Sequence, residues 1–211
     1  MKIIFLGAPG AGKGTQAEIF SEKLGIPTIS TGNILRAAIQ AGTTVGLQAK
    51  ALIDAGKLVP DEVILAIVQE RLSRDDCAKG FILDGVPRTL AQARAMEDMG
   101  ISIDHVVDLE VPDAVIIARM SGRRVCESCG APYHVEANPP QAEGVCDHCG
   151  GKLVTRKDDR AETVKERLEV YHSVTEPLRQ FYGERGLLRT VPGDKGSVED
   201  ISAAVARVLG V

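Results

Sequence analysis

The chain has 211 residues, of which 44% are hydrophobic, so it can bury a substantial core as one domain with small inserts. A formal net charge of −4 argues against a surface built throughout for nucleic acid, which would carry a clear excess of Lys and Arg. The opening residues, Met1 to Leu6, form too short an apolar run for a signal peptide or a membrane span. We therefore expect a cytoplasmic protein whose partners include neither a membrane nor a nucleic acid.

The first predicted elements are a strand, a glycine-rich loop and a helix. Lys2–Leu6 is a short apolar run, and Lys13–Leu24 carries apolar residues at helical spacing. Other short apolar runs are bounded by Gly, Pro or Asp and lack polar alternation, which predicts buried strands. These runs are Ile26–Ile29, Phe81–Leu83, Val106–Val111 and Leu187–Val191.

Helical patterns lie between and after these strands, with apolar residues three and four positions apart. They are Asp61–Leu72, Leu90–Met99, Asp113–Met120, Thr163–Tyr182 and Val198–Leu209. Strands that alternate with helices predict an α/β fold with a parallel sheet flanked by helices.

Two stretches interrupt this alternation and are interpreted as inserts. Ser30–Val59 is helical without an obvious strand, and Gly122–Asp159 is rich in Gly, Pro, Cys and charge. The second stretch has too few large apolar residues to fold around a core of its own. We expect a core domain of residues 1–29, 60–121 and 160–211 that carries inserts at 30–59 and 122–159.

The loop Gly7–Thr15 has the composition and the context of a phosphate cradle. It follows a strand and opens a helix, and its glycines let successive backbone N–H groups converge on phosphate oxygens. Lys13 can then reach the terminal phosphates of a nucleoside triphosphate. We therefore expect this loop to bind the phosphates of a nucleotide. Thr15 is a weaker magnesium ligand than usual, because Gly14 separates it from Lys13.

Four of the five cysteines form two Cys-x-x-Cys pairs. Cys126 and Cys129 are separated by sixteen residues from Cys146 and Cys149, a spacing typical of a zinc ribbon. Four thiolates complete a tetrahedral shell and leave no position for water, so we expect structural Zn²⁺, although iron or cobalt could occupy such a site. A redox or disulfide pairing is disfavoured in a reducing compartment.

Several segments together carry a resemblance to a known family. The Gly-Lys-Gly-Thr ending of the loop resembles nucleoside monophosphate kinases, and the order and spacing of three further segments resemble adenylate kinases along essentially the whole chain. These segments are Ser30–Arg36, Asp84–Thr89 and Gly122–Arg124. The resemblance implies a P-loop fold, a mobile AMP-binding insert at 30–59 and a lid over ATP at 122–159. It also implies reversible, Mg²⁺-dependent transfer between ATP and AMP that yields two ADP, by a monomer.

The resemblance also assigns roles to individual residues. AMP would be held by Thr31, Arg36, Lys57, Leu58, Val59, Gly85, Val86, Pro87, Arg88 and Gln92. ATP would be held by Gly10, Ala11, Gly12, Lys13, Gly14 and Thr15 of the loop, together with Arg119, Arg123, Pro132, Tyr133 and Lys195. Arg156 and Arg167 would clamp phosphates between the two nucleotides, and Asp84 would orient magnesium through its waters. The chain departs from the family at Asn33, commonly Asp, and at Val86, commonly Phe.

These residue types suit phosphoryl transfer. The attacking oxygen of AMP is already anionic, so no general base is needed, whereas the negative charge of the transferring group must be neutralised throughout. Arginine forks grip two phosphate oxygens at once. We therefore expect the catalytic set to be Lys13, Asp84, Arg88, Arg123, Arg156 and Arg167.

Two alternatives remain open from the residues. A UMP or CMP kinase shares the loop and the Asp-Gly-x-Pro-Arg segment, although Thr31 and the long second insert match the AMP enzymes. A P-loop ATPase with a nucleic-acid-binding zinc ribbon would explain the basic residues near the cysteines. That ribbon has a single aromatic residue, Tyr133, where base stacking would want more.

Overall fold

A computed structural model describes residues 1–211 and confirms the predicted α/β architecture. Its central sheet has five parallel strands in the order β2-β3-β1-β4-β8. The strands are β1 (Lys2–Leu6), β2 (Thr28–Ser30), β3 (Phe81–Asp84), β4 (His105–Glu110) and β8 (Leu188–Pro192). Because β1 lies between β3 and β4, the loop after β1 sits where the strand order reverses, which is the usual ligand-binding edge of such a sheet.

Nine α-helices surround or extend from this sheet. They are α1 (Lys13–Leu24), α2 (Thr31–Gln40), α3 (Thr44–Asp54), α4 (Asp61–Leu72), α5 (Leu90–Asp98), α6 (Asp113–Gly122), α7 (Ala161–Val170), α8 (Leu178–Glu184) and α9 (Val198–Leu209). A short 3-10 turn at Asp75–Cys77 precedes β3, and another at Lys157–Asp159 precedes α7. None of the helices has the length and apolar character needed to cross a membrane.

Strand β1 shows why the sheet is covered on both faces. Ile3 and Phe5 belong to one apolar cluster, together with residues of α1, α6, α7 and α9. Ile4 and Leu6 belong to a second cluster, with residues of α2, α4, α5 and α8. Successive side chains of a strand point to opposite faces, so an uninterrupted apolar run is what a doubly covered strand requires.

The predicted helix Thr163–Tyr182 is wrong as a single element. The chain forms α7, then a π-helical turn at Tyr171–Thr175, and resumes as α8 at Leu178. Pro177 lacks a backbone N–H and so cannot continue the hydrogen-bond ladder. The apolar spacing persists across the break, which is why periodicity alone did not reveal it.

The two inserted stretches differ in construction. Residues 30–59, called here the helical insert, hold α2 and α3, which pack so closely that a side chain on Gly46 would collide with the backbone at Ala38. Residues 122–159, called here the lid segment, hold a small antiparallel sheet in the order β6-β5-β7. Its strands are β5 (Arg123–Cys126), β6 (Pro132–His134) and β7 (Leu153–Val154).

Candidate active site and metal site

The loop after β1 presents free backbone donors to its concave side. Gly10 and Gly12 have φ values of 85° and 97°, a region that favours glycine. Helix α1 starts at Lys13 with no capping side chain and no acidic residue in its first turn. None of the amide groups of Gly12, Lys13, Gly14 or Thr15 donates to a backbone carbonyl. A helix start with unsatisfied N–H groups is a binding site for an anion.

Lys13 lies inside this loop. Its Nζ donates to the carbonyl oxygens of Gly7 at 2.7 Å and Ala8 at 2.8 Å. The pKa of Lys13 is lowered to about 8, mainly by burial; Asp84 opposes this shift, and the positive charges of Arg88, Arg167 and Arg123 add to it. A phosphate bound next to this ammonium group would stabilise its charged form and raise its pKa.

Asp84 ends β3 directly beside the loop. It is in register with Phe5 of β1, and its Oδ2 lies 3.7 Å from the position that a Cβ on Gly14 would occupy. The carboxylate therefore faces the phosphate loop from the neighbouring strand.

A pocket opens between the sheet edge and the helical insert. Its walls combine apolar side chains, among them Leu35, Val59 and Ile64, with the cations Arg36, Arg88 and Arg167. The pocket also includes the other residues predicted for AMP, except Val86, Pro87 and Arg156: Thr31, Lys57, Leu58, Gly85 and Gln92. Pro87 lines an adjoining pocket with Lys13, Arg88 and Arg167, and Val86 is buried in the core.

Backbone and side chain cooperate at Gly85. This residue has a φ of 78°, and a Cβ there would lie 2.9 Å from Arg88 Nη2. Its carbonyl oxygen accepts from Arg88 Nε at 2.9 Å and from Thr31 Oγ1 at 3.0 Å. Glycine is therefore required both by the turn and by the close approach of Arg88.

Between the two pockets lies a cluster of six cations and three carboxylates. The cations are Lys13, Arg36, Arg88, Arg123, Arg156 and Arg167, and the carboxylates are Asp84, Asp158 and Asp159. Arg123 forms a bidentate ion pair with Asp159, and Arg167 Nη1 donates to Asp158 Oδ2 at 2.7 Å. The six cations thus outnumber the three carboxylates.

Burial and the excess of positive charge together lower pKa values among the clustered arginines. Burial lowers the pKa of Arg167 to about 10, and the charges of Arg123 and Arg88 act in the same direction. Burial also lowers the pKa of Arg36, Arg88 and Arg156. Arg156 Nε is buried without a hydrogen-bond partner. Unpaired buried cations are costly, so the cluster is arranged for polyanions rather than for stability.

The remaining predicted ATP residues have distinct positions. Arg119 is half-buried at the end of α6, and burial lowers its pKa while Asp194 opposes that effect. Lys195 is exposed in the loop before α9. Pro132 begins β6, and the side chain of Tyr133 is buried, with its hydroxyl 3.5 Å from Cys146 Sγ. The Tyr133 side chain therefore faces the cysteines.

The four predicted metal ligands come together in the lid segment. The sulfurs of Cys126, Cys129, Cys146 and Cys149 all lie within 4.8 Å of one another. The Cys126–Cys149 sulfurs are 3.5 Å apart and the Cys129–Cys146 sulfurs 3.6 Å apart. With zinc–sulfur bonds of about 2.3 Å, the sulfurs of a tetrahedral site stand about 3.8 Å apart. The cluster therefore fits one metal ion.

Contacts join the lid segment to both other parts of the chain. Gln40 Nε2, on α2, donates to the carbonyl oxygen of Glu127 at 3.0 Å. A Cβ on Gly130 would lie 3.2 Å from Asn33 Nδ2, and His148 Nε2 stands 4.0 Å from Glu18 Oε1 on α1. The lid segment thus contacts the helical insert and lies near helix α1 of the core.

Several residues of the site escaped the sequence reasoning. Asp158 and Asp159 are buried and pair with arginines, and Thr175 Oγ1 donates to the carbonyl oxygen of Arg88 at 2.8 Å. Asp61 accepts from Gln92. The only signal in the sequence was the pair of adjacent acids, Asp158 and Asp159, because five clustered arginines require negative charges nearby.

A P-loop that faces a second, cation-lined pocket, with an acidic strand end between them, defines a nucleoside monophosphate kinase. The family model described as adenylate kinase matches residues 5–187. Curated adenylate kinases from Caldicellulosiruptor saccharolyticus and Carboxydothermus hydrogenoformans are 54% and 52% identical to this chain, over at least 99% of each partner. One from Geobacillus sp. (strain WCH70) is 52% identical over 100% of this chain and 99% of its own length. The chain belongs to the adenylate kinase family, and it is a phosphotransferase that uses adenine nucleotides.

Proposed function

We propose that this chain transfers the γ-phosphoryl group of ATP directly to AMP, with the six-cation cluster holding the phosphates of both nucleotides. The observation that carries the proposal is the excess of buried positive charge between two pockets. Two polyanions that must meet in line need such a cluster, because their mutual repulsion opposes the approach. The family assignment supports the same activity.

We assign the phosphates of ATP to Gly10–Thr15 and AMP to the pocket below the helical insert. Arg119, Lys195 and the backbone near Pro132 would flank the rest of ATP, whereas Arg36, Arg88 and Gln92 would hold AMP. Arg123, Arg156 and Arg167 lie between the two. An α-phosphate oxygen of AMP attacks the γ-phosphorus, and the bond to the β–γ bridging oxygen breaks. The products are two molecules of ADP, and no proton has to move.

Magnesium arrives with ATP and neutralises part of the triphosphate charge. Asp84 suits the role of its orienting carboxylate, because it faces the loop from the next strand and remains beside the Lys13 ammonium. Lys13 donates to loop carbonyls in the structure, and we propose that it exchanges these acceptors for phosphate oxygens.

In the lid segment we propose Zn²⁺, held by Cys126, Cys129, Cys146 and Cys149. Four thiolates leave no open position, so the ion would stabilise the segment without taking part in the reaction. Tyr133 supports the site from outside, since its hydroxyl contacts Cys146 and accepts from the backbone N–H of Asp147 at 2.8 Å. Outer partners of this kind orient the ligands.

We further propose that residues 30–59 and 122–159 move as separate parts against a core of 1–29, 60–121 and 160–211. Closure would exclude water, which competes with AMP for the same phosphorus, and would bring Arg123 and Arg156 into place. The enzyme would work as a cytoplasmic monomer that acts on ATP, AMP and ADP, without nucleic acid or membrane.

Phosphoryl transfer from Mg–ATP to AMP, GMP, CMP and UMP, followed by phosphorus NMR, tests this function. We expect rapid formation of ADP with AMP alone. Preference for CMP or UMP would contradict the assigned base. Slow hydrolysis of ATP with no acceptor phosphorylated would contradict the two-nucleotide site.

A further inference from the structure

Gln92 is the only side-chain amide on the wall of the pocket assigned to AMP. It is 1% exposed and shares that wall with the apolar residues Leu35, Val59 and Ile64. A purine ring suits such apolar walls, but its polar edge needs a donor and an acceptor side by side. The amide of Gln92 supplies both groups.

The orientation of this amide is fixed by its two protein partners. Gln92 Oε1 accepts from the backbone N–H of Arg88 at 2.7 Å, and Gln92 Nε2 donates to Asp61 Oδ1 at 2.7 Å. A backbone N–H can only donate and an ionised carboxylate can only accept, so the chemistry of the partners assigns the oxygen and nitrogen ends.

The carboxylate of Asp61 is itself held in place. Its Oδ2 accepts from Thr89 Oγ1 at 2.9 Å, and the same hydroxyl accepts from the backbone N–H of Gln92 at 3.0 Å. Asp61 is the first residue of α4 and Thr89 precedes the first residue of α5. Asp61 therefore links the starts of these two helices through Thr89 with one oxygen, and it holds the amide of Gln92 with the other.

A fixed amide has one free N–H and one free acceptor lone pair in a set order. Adenine presents an exocyclic amino donor beside a ring-nitrogen acceptor, whereas guanine places a carbonyl acceptor where adenine has the amino group. The fixed order can match one of these bases and must leave the other with facing groups of like kind, which is costly when they are buried.

We propose that Asp61 is a positioning residue that fixes the amide of Gln92 in the orientation that selects adenine over guanine at the monophosphate site. This inference rests on the proposed placement of AMP. A carboxylate at the start of a helix also stabilises that helix through its dipole, and the exposed Glu62 beside it shares that effect. Glu62→Gln is therefore the matched control.

The test compares Asp61→Asn, Glu62→Gln, Gln92→Ala and the double variant Asp61→Asn/Gln92→Ala. An asparagine can present either an oxygen or an NH₂ group to Gln92, so only the backbone N–H of Arg88 still favours the original orientation of the amide. We expect Asp61→Asn to raise the GMP-to-AMP ratio of kcat/KM by about tenfold, the effect of one misplaced hydrogen bond. KM for ATP should stay unchanged, and Glu62→Gln should match the unaltered enzyme.

The double variant separates positioning from a general structural role. If Asp61 acts through Gln92, Asp61→Asn changes nothing further once Gln92 is alanine. An equal effect of Asp61→Asn in both backgrounds, or an unchanged base preference, overturns the inference and leaves the proposed function intact. If Gln92→Ala changes neither AMP binding nor base preference, the placement of AMP is wrong.

A measurement on the unaltered enzyme does not depend on how the variants fold. The side-chain NH₂ signals of Gln92 can be assigned in the NMR spectrum by their loss in Gln92→Ala. One of the two protons should be protected from exchange by its bond to Asp61. Rapid exchange of both protons contradicts the proposed lock.

Discussion

The sheet core and the lid segment are stabilised in different ways. The core holds two apolar clusters, of 19 and 18 buried residues. The lid segment holds one cluster of five, and two of its members are Cys126 and Cys146. Apolar burial stabilises the core at about 25 cal/mol per Å², whereas so small a cluster cannot support a fold by itself.

This difference separates two requirements of the reaction. The phosphate loop and Asp84 lie on the rigid sheet edge, where geometry is set by strand register. Arg123 and Arg156 lie in the lid segment, which we propose opens for nucleotides to enter. A metal can hold such a segment together internally without tying it to the core, so stability and movement are compatible.

The largest effect should come from the rigid part, at Arg88. We expect Arg88→Lys to lower kcat/KM for AMP by about a hundred- to thousandfold, or about 3–4 kcal/mol. Lysine keeps the charge but loses the forked donors and the bond to Gly85 that fixes them. Steady-state kinetics would measure the loss. The exposed Arg160, changed to Lys, should remain fully active, and an equally active Arg88→Lys enzyme would contradict the role of the fork.

Cys129→Ser should damage the lid segment and spare the core. Three thiolates hold zinc less firmly, so we expect loss of bound metal. We also expect kcat to fall by about tenfold or more, because a disordered lid segment no longer positions Arg123 and Arg156 at the phosphates. Metal content, activity and tryptic cleavage within residues 122–159 are measured together. Cys77→Ser changes the cysteine outside the cluster and should keep both metal and activity. Full metal binding by the Cys129→Ser protein would argue against the four-sulfur site.

The binding of ATP should become pH-dependent above about pH 8. Lys13 has a pKa of about 8 in the free protein, and phosphate oxygens raise it on binding. The bound state therefore holds more protons, and affinity falls as pH rises, by up to about tenfold per unit. Calorimetry in two buffers of different ionisation enthalpy should detect proton uptake on binding at pH 8.5–9.5. Lys13→Arg should abolish the uptake, and no uptake by the unaltered enzyme would contradict the shifted pKa.

The smallest effect concerns the contact between the lid segment and the helical insert. Gln40→Ala removes the hydrogen bond to the Glu127 carbonyl and should raise KM for AMP by about two- to threefold, since an exposed hydrogen bond contributes less than about 1 kcal/mol. Gln48→Ala alters an exposed glutamine on α3 and serves as the control. If both variants behave alike, this contact has no part in closure.

Much of this architecture could be predicted from the sequence because its signals are local. The loop Gly7–Thr15 is recognisable from its glycines, its lysine and the strand and helix that flank it. The cysteine pairs are recognisable from their spacing. The strands β1 and β4 have short, nearly continuous apolar runs, which are typical of parallel strands covered on both faces.

What the sequence did not predict depends on distant partners. Asp61 and Gln92 are hydrogen-bonded although they are 31 positions apart in the sequence, and Thr175 and Arg88 although they are 87 positions apart. No local pattern distinguishes Asp61 from an ordinary acid in the first turn of a helix. The break after α7 is not visible in the apolar spacing, because that spacing continues through the π-helical turn. Pro177 is the residue in the sequence that indicates the division of this helix.

Hydrogen exchange on the metal-loaded and the metal-stripped enzyme tests the central contrast most directly, with mass spectrometry resolving residues 122–159 from the sheet strands. If the metal stabilises the lid segment alone, stripping should accelerate exchange there by orders of magnitude and leave β1, β3 and β4 protected. Equal acceleration in both regions, or none in the lid segment, would contradict the account.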